Sequence, residues 1–361
     1  MRYLFFTNTP AHVHLYKHAA RNLSNEGHEV QILARDYGCT LDLLEYEDLP
    51  YKVYGSCSTS KTSLFRRLPG HYYRIARLAR RFDPDIAFGI GAYAAHGSVF
   101  AGCRCVLVID SEPTTIDHHI SKPFADIILT PTTFRKRLGA NHYEFNGFKE
   151  SAYLHPDVYT PNPAVRDELG VGSDEPFVIV RFNAFGSHHD VGHSGFPPNR
   201  RLELIEQLAA EATVFVSDEA GTFEFDGIDA RPFELHPARL HDALAEARLL
   251  VADTQTMVTE AAMLGTPAVR SNSFVGENDM GNFLSLEEFG LIFNADTFES
   301  AIDIAVDLAG DETVEEEWQR KRALFIQDMV NLTSVITQIA VETAHIERVK
   351  NVSPWSSKSV S

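Results

Sequence analysis

Short, uninterrupted apolar runs recur along the chain, each followed by a polar turn and then by apolar residues at helical spacing. A strand that is apolar on both faces has to be covered on both, the condition of a parallel sheet between two layers of helices. Tyr3 to Thr7 is the first such run. Leu15, Ala19, Ala20 and Leu23 then mark one face of a helix predicted over His12 to Glu26, which stops at Gly27, and a second strand follows over Glu29 to Ala34. This is the βαβ unit of a parallel sheet. The pattern continues with helices predicted over Gly38 to Tyr46, Phe65 to Phe82 (arginine-rich) and Gly91 to Phe100, and strands over Tyr51 to Tyr54, Ile86 to Ile90, Cys105 to Asp110 and Ile127 to Thr130. From Asn146 to Asp174 the composition turns to Asn, Gly and Pro, and a second set of strands begins with Phe177 to Arg181, Thr213 to Ser217 and Leu249 to Ala252. The expected fold is α/β, two Rossmann-like domains facing a cleft. Residues 1–160 would form the first domain, 161–330 the second, 331–350 a helix returning to the first, and 351–361 a flexible polar tail.

Charge narrows the partners. Fifty acidic residues against 32 basic ones give a net charge of −18, and only nine of the basic residues are lysine. With that balance no basic stripe that would neutralise phosphates is expected, which argues against nucleic acid as a partner. An acidic, lysine-poor surface suits a high-salt cytoplasm, so a halophilic source is expected. No run approaches the length of a membrane span, and the N-terminus has neither a basic n-region nor a small-residue cleavage site; a cytoplasmic location is expected. Cys39, Cys57, Cys103 and Cys105 contain no C-x-x-C pair and read as reduced thiols.

The stretch Val251 to Val269 says most about chemistry. Its strand ends in Asp253, Thr254, Gln255 and Thr256, and a short helix follows with Met257, Ala261 and Leu264 on one face, closed by Gly265 and Pro267. A helix that starts just past a strand's carboxyl end aims free N–H groups at the crevice there, where phosphate is the usual occupant. Glu260, one turn in, suits a sugar diol.

Other strand ends carry polar groups. The first leads into Asn8, His12 and His14, at the place where ligands bind in open α/β sheets, while His18 reads as structural. Asp110, Ser111 and Glu112, followed by Asp117, His118 and His119, supply carboxylates and imidazoles for proton transfer or hydroxyl recognition; a solvated loop explains them equally. Arg181 after the first strand of the second half suits a diphosphate. His188, His189 and His193 beyond it fit contact with an anion or substrate from a loop better than zinc, because Gly186 and Gly192 work against a helix there. Asn272 to Phe283, with Gly276 and Gly281, reads either as a lid or as a plain loop.

Taken with Gly27-His28-Glu29-Val30, Phe82-Asp83-Pro84-Asp85 and Asn146-Gly147, the segments Asn8 to His14 and Thr259 to Ala268 make the chain resemble an uncharacterised, mainly archaeal family of glycosyltransferase-B-like proteins, over roughly Met1 to Val349. That family is related in fold to UDP-N-acetylglucosamine 2-epimerase. The resemblance implies that Glu260 binds ribose hydroxyls and matches Glu112 to an acidic catalytic position. Gln255-Thr256 stands where the epimerases have paired glycines, and Arg181-Phe182-Asn183 where they have a histidine segment.

The expected function is glycosyl transfer from a nucleotide sugar, UDP-linked by the resemblance, to a sugar or lipid-linked acceptor. Arg181, Asp253, Thr254, Gln255, Thr256 and Glu260 would hold the donor. His12, His14 or Glu112 would take the acceptor's proton, and Asn8, His118, His188 and His189 would line the cleft, with no metal and no cofactor. Epimerase or hydrolase chemistry, and non-catalytic binding of a nucleotide sugar, are the alternatives. Base, sugar, acceptor and oligomeric state are left open.

Overall fold

The computed structural model describes residues 1–56, 61–184, 194–276 and 279–356, the side chains of 61–65 excepted. It contains two compact units, Met1–Val158 together with Asp328–Ser361, and Tyr159–Gln327.

The first unit runs β1 (Arg2–Thr7), α1 (Pro10–Asn25), β2 (Glu29–Asp36), α2 (Thr40–Tyr46), β3 (Tyr51–Ser56), α3 (Lys61–Phe82), β4 (Ile86–Gly89), α4 (Ala92–Ala101), β5 (Arg104–Val108), α5 (Thr115–Ser121), β6 (Ile127–Pro131), β7 (His142–Phe145) and α6 (Ser151–Leu154). The second runs α7 (Val165–Leu169), β8 (Phe177–Phe182), α8 (Pro198–Leu208), β9 (Thr213–Asp218), β10 (Arg231–Pro232), α9 (Leu240–Glu246), β11 (Leu249–Ala252), α10 (Thr256–Leu264), β12 (Ala268–Arg270), α11 (Gly281–Glu288), β13 (Ile292–Asn294), α12 (Phe298–Gly310) and α13 (Val314–Ile326). The chain then rejoins the first unit with α14 (Leu332–Val341) and β14 (Val352–Pro354).

The first sheet has the order β14-β7-β6-β5-β4-β1-β2-β3 and is parallel except for β14. Alternate residues of β1 serve the two helical layers, as the pleat requires. Leu4 and Phe6 join Ile75, Ala79, Ala94 and Ala95 of α3 and α4, while Phe5 packs at a tilt against Tyr16 of α1 with ring centroids 5.2 Å apart. On the α1 side, α14 is fastened by Thr333 Oγ1 donating to the carbonyl of Ala152 at 2.7 Å and by Tyr3 Oη donating to that of Ala340 at 3.1 Å. The second sheet, β10-β9-β8-β11-β12-β13, is parallel throughout, and Val178, Val180, Leu204, Val251 and Ala305 fill one of its cores.

Two expectations need correction. Residues 352–354 are not a loose tail: they pair antiparallel with β7, whose free edge offers unpaired backbone groups, and Trp355 stacks on His142 at 5.5 Å and 15°. The last helical stretch, for which apolar spacing predicts one helix from Val314 to the neighbourhood of Val349, is interrupted at Asp328–Asn331, where the Asn331 side chain accepts from the Ser334 N–H and starts α14 afresh.

In each sheet the order reverses beside a strand whose following loop is rich in polar groups, β1 next to β4 and β8 next to β11. At such switch points neighbouring connections leave for opposite faces and open a crevice. The helix starts after β4 and β11 differ. At α4, Asp117 Oδ1 accepts from the Ala92 N–H at 3.1 Å, and Gly91, at φ 74° and ψ −161°, leaves room for that carboxylate. A Cβ on Gly91 would lie 2.1 Å from Asp117 Oδ2. Gly91→Ala therefore combines a backbone region nearly closed to L-residues with expulsion of the cap, an expected cost of about 3 kcal/mol. Calorimetry should show a melting temperature lower by about 6–12 °C; an unchanged value would contradict the assignment.

Candidate functional site

At the carboxyl end of the first sheet, Asn8 is held from four directions. Its Oδ1 accepts from Tyr54 Oη at 2.9 Å, its Nδ2 donates to the carbonyl of Ile90 at 3.4 Å, its carbonyl accepts from Arg35 Nε at 2.9 Å, and its N–H donates to His12 Nδ1 at 3.2 Å. The last bond settles the histidine's tautomer: with Nδ1 accepting, the proton of neutral His12 sits on Nε2. Burial, with Lys149 and Arg35 adding positive charge, pushes the pKa of His12 down to about 3. His12 is thus a neutral donor through Nε2, with its basic nitrogen occupied. Lys149 Nζ lies 2.6 Å from Asp110 Oδ2 and 3.5 Å from Glu150 Oε1.

Other expected residues sit deeper. His14 is buried with its ring 5.3 Å from that of Tyr153. Glu112 is buried, its Oε1 facing the N–H of Arg135 at 3.4 Å and its carbonyl accepting from Lys136 Nζ at 2.8 Å. His118 is buried too, with Nε2 at 2.9 Å from Thr114 Oγ1; burial lowers its pKa. His188, His189 and His193 lie outside the described residues.

In the second unit, α10 starts just past β11 with Gln255 as its first flanking residue, and among the described residues no side chain caps it. Thr254 Oγ1 beside it is buried and has no hydrogen-bond partner among the described residues. The helix is fixed from its other end: Gly265 closes it in the left-handed region at φ 80°, Gln319 Nε2 donates to the carbonyl of Leu264 at 3.0 Å, and Arg322 Nε donates to that of Met263 at 2.6 Å. Asp253 does not face the helix start. Its Oδ1 accepts from the Asn183 N–H at 2.6 Å and its Oδ2 from the Phe196 N–H at 3.2 Å, tying the loop after β8 to the end of β11. Burial raises its pKa to about 6.

Arg181 points across to β9, donating to Ser217 Oγ at 2.7 Å and lying 3.2 Å from Glu219 Oε2. Glu260 is buried, its Oε1 3.1 Å from His241 Nε2 of α9. The segment after β12 is pinned at both ends. Asn272 Nδ2 donates to the carbonyl of Asp253 at 3.0 Å, and the fully buried Arg270 pairs with Asp279 while lying 3.8 Å from the ring centre of Phe283. Arg35, Tyr54, Lys149 and His241 were not among the residues singled out from the sequence. Each reaches its partner from a distant element, and nothing in local spacing marks it.

Two parallel α/β units with polar groups gathered past the strand ends make a glycosyltransferase-B-like architecture. A model of the family described as proteins of unknown function, DUF354, matches residues 3–343, and the chain belongs to that family. No curated protein matches it by sequence. Among solved structures it is similar to a putative UDP-N-acetylglucosamine 2-epimerase from Listeria monocytogenes (TM-score 0.67, 14% identity, 97% of this chain and 98% of that one). It is also similar to UDP-GlcNAc 2-epimerase from Neisseria meningitidis bound to UDP-GlcNAc (TM-score 0.63, 10% identity, 95% and 99%) and to the spinosyn forosaminyltransferase SpnP (TM-score 0.65, 14% identity, 96% and 100%). The fold is thus one shared with UDP-N-acetylglucosamine 2-epimerases and with a sugar transferase.

Proposed function

We propose that this protein is an enzyme acting on a nucleoside-diphosphate sugar, with the diphosphate at the start of α10. One contrast carries the reading: the helix after β4 is closed by the carboxylate of Asp117, whereas among the described residues no side chain caps the helix after β11. An uncapped helix start beside the buried hydroxyl of Thr254 supplies N–H and O–H donors for an anion, and Gln255 and Thr256 form its rim. Arg181, near the carboxyl end of β8 and paired in register with Ala252 of β11, is the nearby cation, and a diphosphate would have to compete with Glu219 for it. Glu260, braced by His241, is the carboxylate for the ribose. Asp253 belongs to the support of this site and not to its contacts, since both oxygens are taken by backbone N–H groups and its charge would repel a diphosphate.

The chemistry follows from where charge grows. When the bond between the sugar's anomeric carbon and the diphosphate oxygen breaks, the electron pair leaves with the diphosphate, and the helix start and Arg181 stabilise it. That cleavage is common to elimination in an epimerase, to hydrolysis and to glycosyl transfer. The two epimerases, matched over nearly their whole length, favour epimerase or hydrolase chemistry; the forosaminyltransferase, matched as fully, supports transfer as the second reading. His12, as a neutral Nε2–H donor, suits binding of a hydroxyl or leaving oxygen better than removal of a proton.

Incubation with a panel of nucleotide sugars distinguishes the readings by product: an epimer, free nucleotide plus free sugar, or free nucleotide plus glycosylated acceptor. Calorimetric titration with UDP-sugars should show Glu260→Ala binding about 10- to 100-fold more weakly, the loss of charge-assisted hydrogen bonds. Unchanged affinity in a folded variant would overturn the assignment, and binding without turnover of any sugar would reduce the protein to a binding module.

A further inference from the structure

Helices α3, α4 and α5 lie side by side on one face of the first sheet. Tyr72 Oη of α3 is 2.8 Å from His96 Nδ1 of α4, and His96 Nε2 is 2.9 Å from the carbonyl of Ile120 in α5. The inner side chains of α3 and α4 fill the core. Their outer surface runs against the character of the whole chain and corrects the expectation that it carries no basic stripe. Arg66, Arg67, Arg74, Arg77, Arg80 and Arg81 of α3 are all exposed, and among the described residues none is ion-paired with a carboxylate. In a protein with 50 acidic against 32 basic residues, α3 and α4 contain no acid at all. Asp117, the only acid in α5, is spent on the N–H of Ala92.

Apolar side chains stand uncovered among these charges. Tyr73 is 69% exposed within the arginine stripe, Val99 of α4 is 54% exposed, and Ile116, Ile120 and Phe124 follow at four-residue steps with 80%, 46% and 45%. The ring of Phe124 meets His96 edge-on at 5.2 Å, which places this apolar edge against α4.

We propose that this face docks on an anionic lipid bilayer. Guanidinium groups match lipid phosphates bidentately, and uncovered Ile, Val, Phe and Tyr side chains gain by entering the region of headgroups and upper acyl chains. The isoleucines have no use on a nucleic-acid backbone. Two copies joined through this face by a twofold axis would set six arginines against six, so like charge opposes self-association. The acidic remainder of the chain is repelled by the same bilayer and orients the contact. Among the described residues no helix is long and apolar enough to cross a membrane, so the attachment is peripheral.

Co-sedimentation with vesicles tests this at about 0.1 M salt, where surface charges still act over roughly 10 Å. Vesicles of phosphatidylglycerol with phosphatidylcholine should bind the protein, and pure phosphatidylcholine should not. Each arginine at an anionic surface is worth about a fivefold change in affinity, so Arg74→Glu/Arg77→Glu/Arg81→Glu should weaken binding on the order of a hundredfold or more. Ile116→Ser/Ile120→Ser should weaken the binding that persists at high salt, and circular dichroism checks that both variants fold. Equal binding to both vesicle types, or wild-type binding by the triple-arginine variant, would overturn the proposal. So would a drop in sedimentation mass of that variant alone, which would assign the face to a second copy, or tight binding of a short DNA duplex. The nucleotide-sugar reading stands or falls separately, because its titrations need no lipid.

Discussion

Asp253→Ala is expected to destabilise the second unit by about 2–6 kcal/mol, because it leaves the buried N–H groups of Asn183 and Phe196 without the carboxylate they donate to. Asp253→Asn is the sharper test. An amide oxygen still serves one N–H, but the amide nitrogen cannot accept from the other, so the cost is about 1–3 kcal/mol. The pH dependence separates this role from simple packing. With a folded pKa of about 6 above an ordinary 3.8, the folded protein holds this proton more tightly than the unfolded chain does. Asp253 therefore contributes fully below about pH 4, and that contribution is lost as pH rises to about 6, by about 3 kcal/mol in all. Asparagine does not titrate. The stability gap between wild type and Asp253→Asn should be widest near pH 4 and should shrink towards pH 7. A gap that stays constant in denaturant titrations across that range would refute the buried-carboxylate account.

Lys149→Met is expected to lower the stability of the first unit by about 3–5 kcal/mol, since it removes the ammonium from between Asp110 and Glu150 while both carboxylates stay largely buried. The same change should raise the pKa of His12, for which Lys149 is the largest source of unfavourable charge after burial itself. The sign is definite. His12 is held neutral in the folded state down to about pH 3, so its contribution is present above its ordinary pKa of 6.5 and is lost as pH falls through that range. A higher folded pKa narrows the range. Titration of the His12 ring by NMR in wild type and variant checks this directly; an unshifted His12 would mean that Lys149 acts on Asp110 and Glu150 alone.

Much of the architecture was legible along the chain. The apolar runs at Tyr3 to Thr7 and Leu249 to Ala252 are buried on both faces, and that burial requires helices on both sides of a parallel sheet. Gly265 announced the end of α10, because only a residue without a Cβ accepts its left-handed conformation at no cost. The polar loops after the strands were legible for the same reason, as breaks between apolar runs. The edge strand at Val352 to Pro354 was not, because its polar residues are ordered by a partner strand some two hundred residues earlier in the chain, an association that local composition does not carry.

The chain by itself therefore determined the succession of strands and helices, the loops that carry chemistry, and the arginine-rich character of α3, because each follows from residue type and local period. The role of each polar side chain was decided only by the tertiary structure. Asp253 and Glu260 are nearly equivalent on paper, two acids flanking one helix start, yet one braces a loop and the other faces His241. His12 became a donor through a bond from Asn8 and a field from Lys149. Hydrogen bonds and buried charges act over a few ångströms in space, and the groups that meet at a strand end come from segments far apart in sequence.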